Sequence, residues 1–316
     1  MLKVKLVLIL ITAGFINIHC RAQTNDSTLA FAKSLKKLIT LNSLHDGSID
    51  LSGREAINLE ANATTAQLIE ITAPYLKSKI TNAKKLCIFL LTGALFKKAK
   101  SLEQRQQIVE IVCKYYLTNS TEIQIIDNVL LQATEKDFNA NAKKYIAALM
   151  DSVPKFSYGI CAQLSAIAQV KESIPAIWKV VNRDITTMQG ADIDVLASLA
   201  RMGEKEAGVL LCNYYNSEWC KREKPGLLIK SYVRFAKQMA FSLDRTVLDC
   251  LISDFRNFDM TIKDNGVDYF WWPASYLGTQ IAGMLKNYPY QKEFQFDPHQ
   301  LLGWLNATSR YELADK

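Results

Sequence analysis

Along most of this chain apolar residues return at three- and four-residue spacing, and strict apolar–polar alternation is scarce. Leu86, Phe89, Leu90, Gly93 and Phe96 form one such stripe, and Ile108, Ile111, Val112 and Tyr115 form another. Each stripe predicts an amphipathic helix with one buried face. Start signals separate the runs. Thr64 with Gln67, Ser101 with Gln104 and Thr121 with Gln124 fit the capping box, in which hydroxyl and amide satisfy the first unpaired N–H groups of a helix. Pro154, Pro175, Pro225 and Pro273 stand where helices begin or turns interrupt them. The pattern predicts an all-α protein.

The breaks group the helices in pairs. First helices are expected near Asn82, Thr121, Pro154, Ala191, Leu227 and Tyr269, at intervals of 39, 33, 37, 36 and 42 residues, with a mean of about 37. A period of that size, holding two helices and two short turns, marks a helical solenoid. Residues 111–120 (IVCKYYLTNS) are echoed at 210–217 (LLCNYYNS), about three periods on, and both segments fall near the end of a second helix.

The stretch 174–217 carries a resemblance. SIPAIWKVVNR, with its proline near the start of a second helix, resembles a HEAT unit. DVLASLARMGEKEAGVLL resembles the wording of many bacterial HEAT-like repeats, with Leu196, Leu199, Met202, Gly203 and Ala207 at the matching places. The similarity to the HEAT/armadillo-like superfamily implies a right-handed α-solenoid of about six helix pairs. The division expected is an N-terminal helical cap over 23–81, repeats over 82–286 and a C-terminal cap over 287–316. HEAT repeats have no family catalytic residues, so none is carried over.

Residues 1–22 read as a secretory leader. Lys3 and Lys5 precede an apolar run from Leu6 to Ile18, and Cys20 and Ala22 occupy the −3 and −1 positions of a small-x-small cleavage site before Gln23. The expected location is periplasmic or extracellular. No later stretch has the ~18 apolar residues of a spanning helix, so no membrane span is expected after cleavage. Removing the leader lowers the net charge from +7 to +4, with 35 Lys+Arg against 31 Asp+Glu. The excess is scattered in pairs such as Lys97/Lys98, and together with export this argues against a nucleic-acid partner. Six cysteines remain, without C-x-x-C. Most read as small buried residues. Cys87 and Cys113 flank the turn near residue 100 symmetrically and so predict a disulfide across a helical hairpin, whereas a helix end separates Cys212 from Cys220.

No catalytic constellation is present. His45 and His299 lie near opposite ends, and zinc, nucleophile-elbow, phosphate-loop and complete EF-hand patterns are absent, so neither cofactor nor metal is expected. The second helices carry Tyr115, Tyr145, Trp178 and Tyr214 with Lys114, Lys144, Lys179 and Arg183. Facing outward, these would make a ridge on the concave surface for another protein or a peptide. The function expected is therefore a non-catalytic, exported protein-binding scaffold. An immunity or inhibitor protein for a secreted toxin is a narrower form of it. The alternative is a secreted (α/α)-toroid acting on or binding carbohydrate, for which Trp271, Trp272, Asp264 and Asp268 are the residues to test.

Overall fold

The computed structural model describes residues 26–42, 54–77, 81–118, 130–152, 157–221, 233, 235–258, 273–289, 296–308 and 310–315. The leader lies outside these residues, as do the turns expected to open helices at Thr121, Pro154 and Leu227. The described chain is all-helical, with 14 α-helices and, among the described residues, one isolated antiparallel bridge instead of any strand. The chain divides into two compact units after Val112, a point inside one helix.

In the first unit, α1 (26–42), α2 (Arg54–Asn62), α3 (Thr65–Leu76) and α4 (Thr81–Lys97) bury Leu35, Leu38, Leu59, Leu68, Leu86 and Leu90. The expected capping box is formed. Thr64 accepts from the Gln67 amide, and Gln67 Oε1 accepts from the Thr64 N–H at 2.9 Å. Gln67 also donates to Ser27 and Thr28, which ties α3 to α1. Helix α5 (Leu102–Thr118) follows a turn in which Ser101 accepts from the Gln104 amide at 3.2 Å.

The second unit contains α6 (Ala140–Leu149), α7 (Tyr158–Ile167), α8 (Ile174–Val180), α9 (Gly190–Arg201), α10 (Lys205–Asn216), α11 (Phe235–Ala240), α12 (Arg245–Arg256), α13 (Pro273–Met284) and α14 (Pro298–Ala307). Packing follows a rule. Hairpin partners touch, as α9 does α10 and α13 does α14. First helices touch the first helix of the next pair, in the run α7–α9–α11–α13, and the second helices α10 and α12 do likewise. Apolar faces that one pair cannot bury alone are covered by its neighbours. Leu196, Leu199, Met202 and Ala207 are buried. Gly203 has φ +100°, and the N–H groups of Gly203 and Glu204 return to Ala200 and Leu199 carbonyls at 3.0 Å each, a Schellman end that glycine makes without steric cost.

Basic side chains reach from one element to the C-terminal carbonyls of another. Lys171 Nζ donates to the Met202 carbonyl, Arg201 Nη1 to Phe241 O at 2.9 Å and Arg256 Nη2 to Leu305 O at 2.9 Å. In the first unit Lys98 Nζ donates to Ala63 O at 2.8 Å. Each cation satisfies an acceptor that a helix end leaves open and meets the negative end of the helix dipole. At the far end, Ala314 N–H bonds Met284 O and Lys286 N–H bonds Glu312 O, so the last residues lie against the end of α13.

Candidate binding surface

Helices α8 and α10, with the turns after them, carry a set of exposed and half-buried aromatic, apolar and amide side chains. Trp178 sits half-buried on α8, where Pro175 in the first turn starts the helix. Its indole N–H donates to Glu204 Oε2 at 3.0 Å. The guanidinium of Arg183 lies 5.2 Å from the ring centroid and pairs with Glu206 Oε1 at 3.2 Å. One face of the ring is thus covered by a cation and its edge is fixed by a carboxylate, which holds a large side chain in one orientation. On α10 Val209 is 48% exposed, and Trp219, just after the helix, is 45% exposed. The exposed amides of Asn213 and Asn216 lie between them in sequence. Fixed aromatic anchors with a polar surround are the usual composition of a protein-recognition patch. Arg183 and Glu206 are committed to each other, and Glu204 to the indole N–H.

The other residues singled out from sequence are dispersed. Lys179 and Arg183 are exposed beside Trp178, and Lys114 and Lys144 are exposed on α5 and α6. Tyr145 is half-buried. Tyr115 and Tyr214 are interior side chains, 6% and 5% exposed, so their rings fill the core instead of a ridge. Tyr214 packs edge-on to Phe235 at 5.7 Å. The repeated Tyr-Tyr pair explains this: Tyr116 and Tyr215 are buried as well, and Tyr215 Oη donates to Asp254 Oδ2 at 2.9 Å, joining α10 to α12. Asp264, Asp268, Trp271 and Trp272 lie outside the described residues, as does His45; His299 is exposed in the first turn of α14. Cys87 and Cys113 are both buried, in different units, and burial pushes the Cys87 thiol up to about 12.

Two features were not anticipated. Asp194 on α9 accepts from Gln163 of α7 at 2.9 Å and from Gln238 of α11 at 3.1 Å, and Gln238 also donates to Gly190 O at 3.0 Å. Three successive first helices therefore share one carboxylate. Gly159 permits the close approach, since a Cβ there would stand 3.2 Å from Asp194 Cβ. Burial raises the Asp194 carboxyl to about 6, against the lowering effect of both glutamine donors. The second feature is the pair Cys212 and Cys250, carried by the adjacent second helices α10 and α12.

The first unit has a cleft of about 240 Å³ between α2, α3 and α4, with Leu68, Leu90 and Gly93 on its walls and Glu60 and Lys98 at its rim. The Lys98 ammonium is committed to Ala63 O, and burial lowers its basicity while Glu60 opposes that. The cleft is thus an apolar recess without an available anion-binding charge from that lysine. Among the described residues no group of three His, Cys, Asp or Glu side chains is placed to hold a metal ion, and no helix is long and apolar enough to cross a membrane.

No family model matches this chain, and no curated protein or solved structure matches it.

Proposed function

We propose that this chain is an exported, non-catalytic binding scaffold, a right-handed solenoid of HEAT-like helix pairs whose second-helix face takes another protein or a peptide. The observation that carries the reading is Trp178. A large ring held by Glu204 and Arg183 contributes contact area with little entropy left to lose, and exposed Val209 and Trp219 extend the same chemistry along α10. Export rests on the leader at 1–22, and the repeat reading rests on the pairwise packing of successive first helices.

The test uses the mature chain, residues 23–316, as bait against envelope and culture fractions, with Trp178→Ala/Trp219→Ala as the paired bait. The expected result is one stoichiometric partner retained by the wild type, lost from the double variant and bound at one-to-one ratio when purified. A partner held equally by both baits moves the site elsewhere. Retention of a glycan with no protein partner overturns the reading in favour of carbohydrate recognition.

A further inference from the structure

The described cysteines separate by surroundings. Cys87, Cys113, Cys161 and Cys220 are buried, while Cys212 and Cys250 are partly exposed. These two occupy α10 and α12, second helices of consecutive pairs that pack directly on each other. Their register is fixed by two contacts that cross the seam. Cys212 Sγ lies 3.4 Å from the backbone oxygen of Thr246, and the Asn216 amide nitrogen lies 3.4 Å from Cys250 Sγ. Asn216 stands one turn after Cys212, and Thr246 one turn before Cys250, so two i,i+4 pairs face each other. The acidity of each thiol is set first by a hydrogen-bonding interaction with the other.

We propose that Cys212 and Cys250 form a reversible disulfide that joins two consecutive helix pairs, made by exchange with a small disulfide oxidant of the glutathione class. Cys250 is the attacking residue. The hydrogen bond from Cys212 holds its thiol below the ordinary value against the effect of burial, and Asn216 and Lys221 act in the same direction while Asp254 opposes them. Cys212 is pushed well above the ordinary range by that same hydrogen bond, then by burial, by the charge of Cys250 and by Asp244 and Asp249. Cys250 thiolate attacks one sulfur of the donor R–S–S–R, forming a mixed disulfide and expelling RS⁻. Cys212 then loses its proton and attacks Cys250 Sγ, which breaks the mixed disulfide and expels the second RS⁻. Two protein thiols lose two electrons, the donor gains them, and the two thiol protons end on the two released RS⁻ groups. The bond needs no partner on the second-helix face and is independent of the binding reading.

The test is peptide mapping without reduction after the reduced, purified chain is incubated with oxidised glutathione. The expected product is a Cys212–Cys250 cross-linked peptide, without retained glutathione, that dithiothreitol reverses. Cys212→Ser is expected to keep one glutathione on Cys250, and Cys250→Ser to be modified at Cys212 about tenfold more slowly. Absence of the 212–250 cross-link at full oxidation, or a bond from either residue to Cys220, overturns the proposal, and this readout needs only the wild-type chain. Faster capture at Cys212 than at Cys250 overturns the order of attack.

Discussion

Replacing Asp194 with asparagine keeps the shape of the acceptor shared by Gln163 and Gln238 and removes its charge. A carboxyl that titrates near 6 instead of its ordinary 3.8 costs the folded state about 3 kcal/mol while ionised. Partial exposure of the group brings this to about 2 kcal/mol. The sign follows from proton binding. Between pH 4 and 6 the folded chain holds the proton and the unfolded chain releases it, so this group's penalty shrinks as pH falls through about 6 and is mostly gone near 4. The asparagine side chain titrates at no pH. The variant is therefore expected to be about 2 kcal/mol more stable than the wild type at pH 8, a difference that falls to about 1 kcal/mol or less at pH 4.5. Urea unfolding followed by helical circular dichroism at both pH values measures the difference, and all other carboxylates cancel in the comparison. If Asp194→Asn changes stability by the same amount at both pH values, burial of a charge is not what sets the carboxyl, and the argument fails.

Other substitutions test the packing. In Gly278→Ala on α13, the new Cβ would stand 2.7 Å from Phe296 Cε1 and 3.1 Å from Phe255 Cε2. Overpacking of about 1–3 kcal/mol outweighs the gain of about 1 kcal/mol in helix propensity, so a lowered melting temperature is expected, and Phe296→Leu in the same chain should relieve it. Tyr215→Phe removes the hydroxyl bonded to Asp254 and is expected to cost about 1 kcal/mol in chemical denaturation without changing helical content. Intact mass of the protein recovered from its native source should correspond to a chain beginning at Gln23; retention of residues 1–22 would refute cleavage there.

Local signals were legible where the physics is local. The Thr64–Gln67 box and the proline at the start of α8 each depend on a few neighbouring backbone groups, and each is formed as the sequence indicates. Start positions near 82 and 191 lie within one residue of α4 and α9. The facing of aromatic rings was less legible, because Tyr115 and Tyr214 belong to apolar stripes whose partner is set by the next helix pair. Asp194 was invisible for the same reason: its donors are 31 and 44 residues away. The Cys212–Cys250 pair did carry a signal, since the two stand about one repeat apart and therefore at equivalent places in consecutive units.

The cations that reach helix ends bear on how such a chain can be rearranged. Lys171 serves the Met202 carbonyl, Arg201 serves Phe241 and Arg256 serves Leu305. In these three cases the residue that finishes a helix comes from an earlier stretch of sequence and not from the helix itself. A deletion of 190–216, both helices with the turn between them, would discard the donor for Phe241 and the acceptor of Lys171 together, leaving one carbonyl bare and one ammonium idle. A cut placed so that each donor travels with the carbonyl it serves disturbs neither. The natural segment for duplication or transplantation is therefore out of phase with the helical hairpin, and grafts drawn at hairpin boundaries should give poorer folding than grafts whose ends are set by these donor–carbonyl pairs.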